Sequence, residues 1–389
     1  MNSNNIIPGL QIGHLSTPLP IIQGGMGVGI SMAGLVAAVA AAGGIGVISA
    51  IGIGMREPNY SHNANAANRR ALKREIEKAR TLSAGAIGVN IMVALTDYVE
   101  LLDASIDAKV DALFLGAGLP LLFSKQNSPL RIRELGIQIV PIVSSARATH
   151  LIFRYWAKKY GRVPDAVVVE GPLAGGHLGF KPSEIRDPKY QLEIILEEVA
   201  QITKSYEQQF GVEIPVIGAG GIYSGTDIFQ IMQRGAAGVQ MGTRFVATRE
   251  CEAHQNFKDS YIQASEDDLV IISSPVGLPG RAIRNNFLKD VAAGKKEPVK
   301  CPWKCLATCD VATAPYCIAA ALINAQKGNL KKGFPFAGAN AYKVSEIVTV
   351  NELMDSLVQE YQDAASIWNQ AASINISGKE LNNEFVQIA

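Results

Sequence analysis

Eight short apolar runs, each followed by a helix-like stretch, recur between residues 20 and 241 of this 389-residue chain. They fall at residues 20–23, 46–50, 86–91, 112–115, 138–143, 166–170, 215–217 and 237–241. Helical patterns at 32–42, 68–81, 147–160, 190–209 and 226–234 lie between them, and Gly43-Gly44, Gly161, Gly211 and Gly235 supply the stop signals. Such alternation demands a parallel sheet, because parallel neighbours need a crossover rather than a tight hairpin. Eight units in about 250 residues favour closure. The expected fold is therefore α/β, a (β/α)8 TIM barrel over residues 15–265, with a doubly wound sheet as the alternative. Residues 266–389 break the rhythm. They read as a mostly helical C-terminal lid region packed on the barrel, with helical stretches at 318–326 and 350–361 and a Pro/Gly-rich loop at 273–282.

No Asp, Glu, Lys or Arg precedes Arg56, and residues 21–55 form an uncharged stretch long enough to span a bilayer. Its ten glycines cut it into short pieces, so a buried β–α–β unit is the expected reading. With 36 Lys and Arg against 35 Asp and Glu, the chain lacks the basic excess of a nucleic-acid or anionic-membrane binder. Neither partner is expected. The first residues lack the charged and apolar regions of a signal peptide, and five cysteines make no disulfide scaffold. A cytoplasmic location follows as the expectation.

The strongest local chemistry lies after the seventh and eighth runs. One passes into Gly218-Ala219-Gly220-Gly221-Ile222, the other into Gln240-Met241-Gly242-Thr243-Arg244. In a (β/α)8 barrel these two loops commonly hold a phosphate on backbone N–H groups. The plain alternative is a pair of tight barrel turns. Gly24-Gly25-Met26 is a third such turn, where a flat ring can lie close to backbone. His177 sits among Ala174-Gly175-Gly176 and Leu178-Gly179, just past the sixth run. There an imidazole can move a proton near neutral pH, whereas His14, His62, His150 and His254 have no comparable setting. Asn90, at the end of a buried run, needs a polar partner: a cofactor edge or a neighbouring backbone.

Taken together, these motifs resemble the nitronate monooxygenase family, formerly 2-nitropropane dioxygenase, which includes flavin-dependent enoyl-acyl-carrier-protein reductases. The resemblance rests on Pro20-Ile21-Ile22-Gln23-Gly24-Gly25-Met26, Gly88-Val89-Asn90, Ala174-Gly175-Gly176-His177 and the two loops above, and covers about residues 15–250. It implies non-covalent FMN and His177 as the catalytic, proton-handling residue. It also implies a cofactor set of Gly25, Met26, Asn90, Glu170, Gly176, Gly218, Gly220, Gly221, Gln240, Met241, Gly242 and Thr243. The implied reaction converts alkyl nitronates with O2 to carbonyl compounds and nitrite. The alternative is NAD(P)H-dependent reduction of an enoyl-acyl carrier protein, with NAD(P)H as co-substrate. The expected partner is thus a small molecule, nitronate or acyl thioester, and a homodimer is a candidate state.

Two features depart from that pattern. The segment 54–80 and the C-terminal region lengthen the chain. Cys301, Cys305, Cys309 and Cys317, four of the five cysteines, crowd into 17 residues as C-x3-C-x3-C-x7-C. Zinc sites more often use C-x2-C pairs. The cluster admits three readings: buried reduced thiols, a metal or iron–sulfur site, or a redox pair. Residues 281–343 carry 11 Lys and Arg against 3 Asp and Glu, which suits an acidic carrier but equally a solvated face. Phe334, Phe336 and Tyr342 read either as a substrate tunnel or as helical core.

Overall fold

The computed structural model describes residues 6–58, 60–295, 301, 304–307 and 309–386, the last fifteen by backbone alone. The chain opens with an antiparallel hairpin, β1 (Leu10–Ile12) and β2 (Leu15–Thr17). There follow β3 (Ile21–Gln23), α1 (Ala33–Ala41), β4 (Ile45–Ser49), α2 (Ala64–Leu82), β5 (Ala86–Met92), α3 (Tyr98–Asp107), β6 (Ala112–Gly116) and α4 (Pro129–Glu134). Next come β7 (Gln138–Val143), α5 (Ala146–Tyr160), β8 (Val167–Glu170), the two-residue β9 (Gly176–His177), α6 (Leu192–Phe210), β10 (Val216–Ala219), α7 (Gly225–Gln233), β11 (Gly238–Met241) and the single turn α8 (Thr243–Val246).

Eight of these strands close into a parallel barrel in the order β10-β11-β3-β4-β5-β6-β7-β8, with β8 returning to β10. The expected (β/α)8 barrel is present, and each apolar run of the sequence supplies one stave. Strands such as β4 and β6 are buried at every position because helices cover one face and the barrel interior fills the other. Ile22, Ile45, Val47, Phe114, Val140, Val168 and Ile217 pack inside, and Leu10 and Ile12 of the hairpin join them as a plug. Each fully buried aliphatic or aromatic side chain here stabilises the fold by about 1.5–3 kcal/mol. The uncharged stretch is spent on β3, α1 and β4, and no described helix is long and apolar enough to cross a membrane. Ser145 caps α5, Ser224 closes a capping box on α7, and Gly161 and Gly211 end α5 and α6 in the left-handed conformation, as their positions predict.

The C-terminal region holds α9 (Gln255–Gln263), β12 (Leu269–Ser273), β13 (Pro279–Ile283), α10 (Asn286–Ala292), α11 (Ile318–Gln326) and α12 (Val350–Val386). It is the expected mostly helical region packed on the barrel, with two features the sequence did not show. First, α8 is too short to cover its strand. Instead α12 lies against α7 and α1 and fills the eighth helix position of the ring. Val350, Leu353, Met354, Leu357 and Tyr361 belong to the same core as the barrel helices, and Phe229 of α7 meets Tyr361 edge-on at 5.5 Å. The barrel core thus runs across residue 265, while residues 276–334 hold a smaller cluster of their own around Phe287, Tyr316 and Phe334. Second, the stretch expected as a loop at 273–282 contains most of β13, which pairs with β12 on one side and with β9 on the other. Proline and glycine at its start mask the strand in the sequence.

Candidate active site at the barrel mouth

A cavity of about 370 Å3 opens where the barrel strands end. The C-terminal ends of β3, β5, β8, β10 and β11 bring Gly25, Met26, Asn90, Glu170, Gly220, Gly221, Gln240, Met241, Gly242 and Thr243 to its wall, with Gly176 and His177 from β9. Of the expected set, Gly218 stands apart. It does not line the cavity. It lies within β10, where a Cβ would meet Ile231 and Leu196 at 3.2 and 3.5 Å, so its smallness serves helix packing.

The two Gly-rich loops leave backbone amides free at the cavity wall. Gly220 and Gly221 both adopt positive φ, +90° and +87°, which turns the backbone sharply after β10. The N–H groups of Gly220, Gly221 and Thr243 find no acceptor among the described residues. Helix α7 does not contribute its terminus: Asp227 accepts from the N–H groups of Tyr223 and Ser224, and Glu360 accepts from Gly225. A phosphate would sit on the amides of the loop after β10 and of the short α8 turn rather than on the end of α7. Residues 338–340 brace both loops. The Gly338 N–H donates to Thr243 Oγ1 at 3.3 Å, and the Asn340 amide donates to the Gly221 carbonyl at 2.5 Å.

At the other loops, Asn90 is buried and donates Nδ2 to the Phe114 carbonyl on β6 at 3.1 Å. A neighbouring backbone thus supplies the partner its burial demands. Gly25 packs so tightly on Asn90 that a Cβ would lie 2.4 Å from the Asn90 Cβ. Gln240 is the telling group: its Oε1 is buried with no hydrogen-bond partner among the described residues. A buried amide oxygen left this way calls for a ligand donor. The free loop amides, the orphaned Gln240 oxygen and the Cβ-free wall at Gly25 fit a phosphate-bearing planar cofactor such as FMN.

His177 is placed by elements the sequence reading left unassigned. In the register of β9 with β13, Gly280 faces His177 and Arg281 faces Gly176. The His177 Nε2 lies 2.7 Å from Ser274 Oγ, and its ring meets Phe336 edge-on at 5.0 Å. Burial holds its imidazole down at about 4, so the ring is neutral at pH 7. Arg281 is buried and donates Nη1 to the carbonyls of Pro172 and Ala174 at 2.7 and 2.6 Å, pinning the loop that carries the histidine. Burial lowers the guanidinium only to about 10, so it stays charged. The carboxyl of Glu170 has no hydrogen-bond partner among the described residues, and burial pushes it up to about 7.

The far wall comes from both lengthened segments. Met55, Tyr60 and Asn68 lie in the 54–80 segment; Leu306, Ile318, Leu322 and Phe336 come from the C-terminal region. Asn68 donates to Asp97 at 2.8 Å and accepts from Gly54 at 2.9 Å, a buried polar pair at the cavity edge. Of the three aromatics left open, Phe336 lines the cavity and Phe334 is core; Tyr342 does neither. No signal in the sequence marked Ser274, because its partner is 97 residues away. Arg281 was visible only as one of eleven basic residues in its span.

Fold and site together define an α/β-barrel enzyme whose chemistry sits at the strand C-termini. A family profile described as Nitronate monooxygenase matches residues 10–360, and the chain belongs to that family of oxidoreductases. It is 28% identical over 291 residues to the (3aS,4S,5R,7aS)-5-hydroxy-7a-methyl-1-oxo-octahydro-1H-indene-4-carboxyl-CoA dehydrogenase of Mycobacterium tuberculosis, covering 73% of this chain and 70% of the relative. It is 29% identical over 304 residues to a "Probable nitronate monooxygenase" of Staphylococcus aureus, covering 72% and 79%. Among solved structures it is similar to FabK from Thermotoga maritima, with a TM-score of 0.69, 26% identity, and 90% of this chain and 95% of the other aligned.

Proposed function

We propose that this chain is an FMN-dependent oxidoreductase that takes small nitroalkanes, or the nitronates they form on losing a proton, to carbonyl compounds and nitrite with O2. The observation that carries this reading is His177, a histidine held neutral by burial and oriented by Ser274 in the same cavity as two phosphate-fitted loops. A neutral imidazole accepts a proton at pH 7, and an imidazolium cannot. His177 would remove the proton next to the nitro group. Glu170, raised by burial, keeps its proton below about pH 7 and so spares an anionic nitronate a second negative charge. Gly220, Gly221 and Thr243 would hold the FMN phosphate, the backbone of Gly25 and Met26 would flank its ring, and Gln240 and Asn90 would meet its polar edge. FMN, when bound, supplies the electron acceptor.

A second reading is supported by the far wall. Leu306, Ile318 and Leu322 give the cavity an apolar side. That suits the acyl part of a thioester, and a CoA-thioester dehydrogenase is among the relatives. In that case NAD(P)H would be the co-substrate.

The test is anaerobic mixing of the flavin-loaded protein with propyl-2-nitronate and, separately, with NADPH or NADH. Bleaching of the flavin absorbance by the nitronate alone supports the first reading. Fast bleaching by the pyridine nucleotide moves the assignment to thioester reduction. Failure to bind any flavin after reconstitution overturns both.

A further inference from the structure

The cysteine motif plays no part in the proposed reaction, yet the fold gathers it. Cys301, Cys305, Cys309 and Cys317 line one small cavity of about 20 Å3, enough for a single ion or water. The fifth cysteine, Cys251, is elsewhere and buried, while these four are half-exposed. The segment that carries them is tied to the barrel mouth. Thr96 N–H donates to the Cys305 carbonyl at 3.2 Å, Ala307 N–H donates to the Ala94 carbonyl at 3.0 Å, and Leu95 bridges Leu306. Cys305, Leu306 and Ile318 line both the small cavity and the large one, so they form the partition between them.

The packing reading of the cluster fares poorly. Plain core packing favours fully buried cysteines, as Cys251 is, and gives no reason for four to share one cavity. We propose that Cys301, Cys305, Cys309 and Cys317 form a thiolate site for a thiophilic metal centre, an iron–sulfur cluster or a zinc ion, set in the partition beside the large cavity. Among the described residues no three side chains already stand at the spacing one ion needs. The thiols therefore draw together on binding, as metal-thiolate sites commonly do, each releasing its proton to solvent. An iron–sulfur cluster there would place a one-electron carrier against the flavin cavity. Zinc would instead clamp the segment to the barrel mouth.

The experiment is metal and sulfide analysis of the full chain, purified anaerobically from cells supplied with iron and zinc. About four iron and four sulfide per chain identify a cluster, and about one zinc identifies a structural ion. The double variant Cys309→Ser/Cys317→Ser, whose residues do not line the large cavity, should lose about nine-tenths of that metal. Its flavin content and circular dichroism should stay those of the parent. Retention of full metal by the folded variant overturns the proposal. If the variant does not fold, the parent chain decides alone: less than about a tenth of a centre per chain, after anaerobic reconstitution with iron and sulfide and separately with zinc, overturns it. The readout needs no turnover, so it stands whether or not the nitronate reading holds.

Discussion

Ser274 Oγ lies 2.7 Å from His177 Nε2, and the two residues come from separate β-strand neighbourhoods brought together by the β9–β13 pairing. The contact occupies one ring nitrogen and leaves the other for a ligand. It also fixes the ring against Phe336. Ser274→Ala removes one neutral hydrogen bond, a loss of about 1 kcal/mol. We expect kcat to fall about fivefold while KM for the nitronate changes little. Ser274→Thr, which keeps the hydroxyl, should restore most of the rate. An unchanged rate in the alanine variant across pH 5–9 would show that Ser274 does not orient the ring.

Replacing the imidazole itself tests the proton step. His177→Gln keeps polarity near Ser274 but takes no proton. Turnover of neutral nitroalkanes should drop by about 10²–10⁴-fold. Preformed nitronates, which have already lost that proton, should be spared most of this loss. Equal losses on both substrates, with flavin content unchanged, would move His177 from proton transfer to substrate binding.

The two raised and lowered groups give stability opposite pH slopes. His177 is held near 4 against an ordinary 6.5, so the unfolded chain binds a proton first as pH falls. Stability is therefore lost as pH drops from 6.5 towards 4. Glu170 is raised from 4.5 to about 7, so here the folded chain keeps the proton longer, and stability is lost as pH rises across that window. Glu170→Gln removes the second loss. Its Tm relative to the parent should climb between pH 5 and 8, by the equivalent of at most about 3 kcal/mol. A flat difference across that range would mean that the carboxyl is ionised throughout.

Much of this architecture was legible in the sequence, and the reasons are physical. Buried parallel strands must be continuous apolar runs, so all eight staves showed as such. Glycines at left-handed helix ends, Gly161 and Gly211, marked their stops. The loop after β10 was visible because glycine at 220 and 221 is a backbone requirement, local in sequence. Long-range pairings were not. The β9–β13 ladder joins residues about a hundred positions apart, and β13 begins with Pro279-Gly280, which reads as a turn. Likewise α12 showed as a helix, but nothing local indicated that it replaces the missing eighth helix of the ring.

Arg281 tests whether that ladder matters to the site. Its guanidinium holds two carbonyls of the 171–175 loop and has no carboxylate partner among the described residues. Arg281→Met leaves both carbonyls without their charged donor, at a cost of about 1.5–3 kcal/mol per bond. Thermal unfolding should shift down by several degrees, and activity should fall more than flavin content. Arg281→Lys keeps the charge but cannot present the same planar fork, so it should recover only part of the stability. Full activity in the methionine variant would show that the loop holds His177 without the clamp.

Gly220→Ala asks whether the loop after β10 is a cofactor cradle or only a tight turn. Its φ of +90° is strained for alanine, and the new Cβ would stand 2.8 Å from the Gly171 carbonyl oxygen. Moving either backbone tilts the free amides of Gly220 and Gly221 away from a common point. A cradle predicts that FMN dissociates more readily, with Kd raised by about tenfold or more for each 1.4 kcal/mol lost. Riboflavin, which lacks the phosphate, should bind parent and variant with similar weakness. Gly218→Ala serves as the control, since its Cβ would point at Ile231 and Leu196 rather than at the cavity. It should lower Tm slightly and leave Kd for FMN unchanged. Equal weakening of FMN and riboflavin in Gly220→Ala would place the phosphate elsewhere and reduce the loop to a turn.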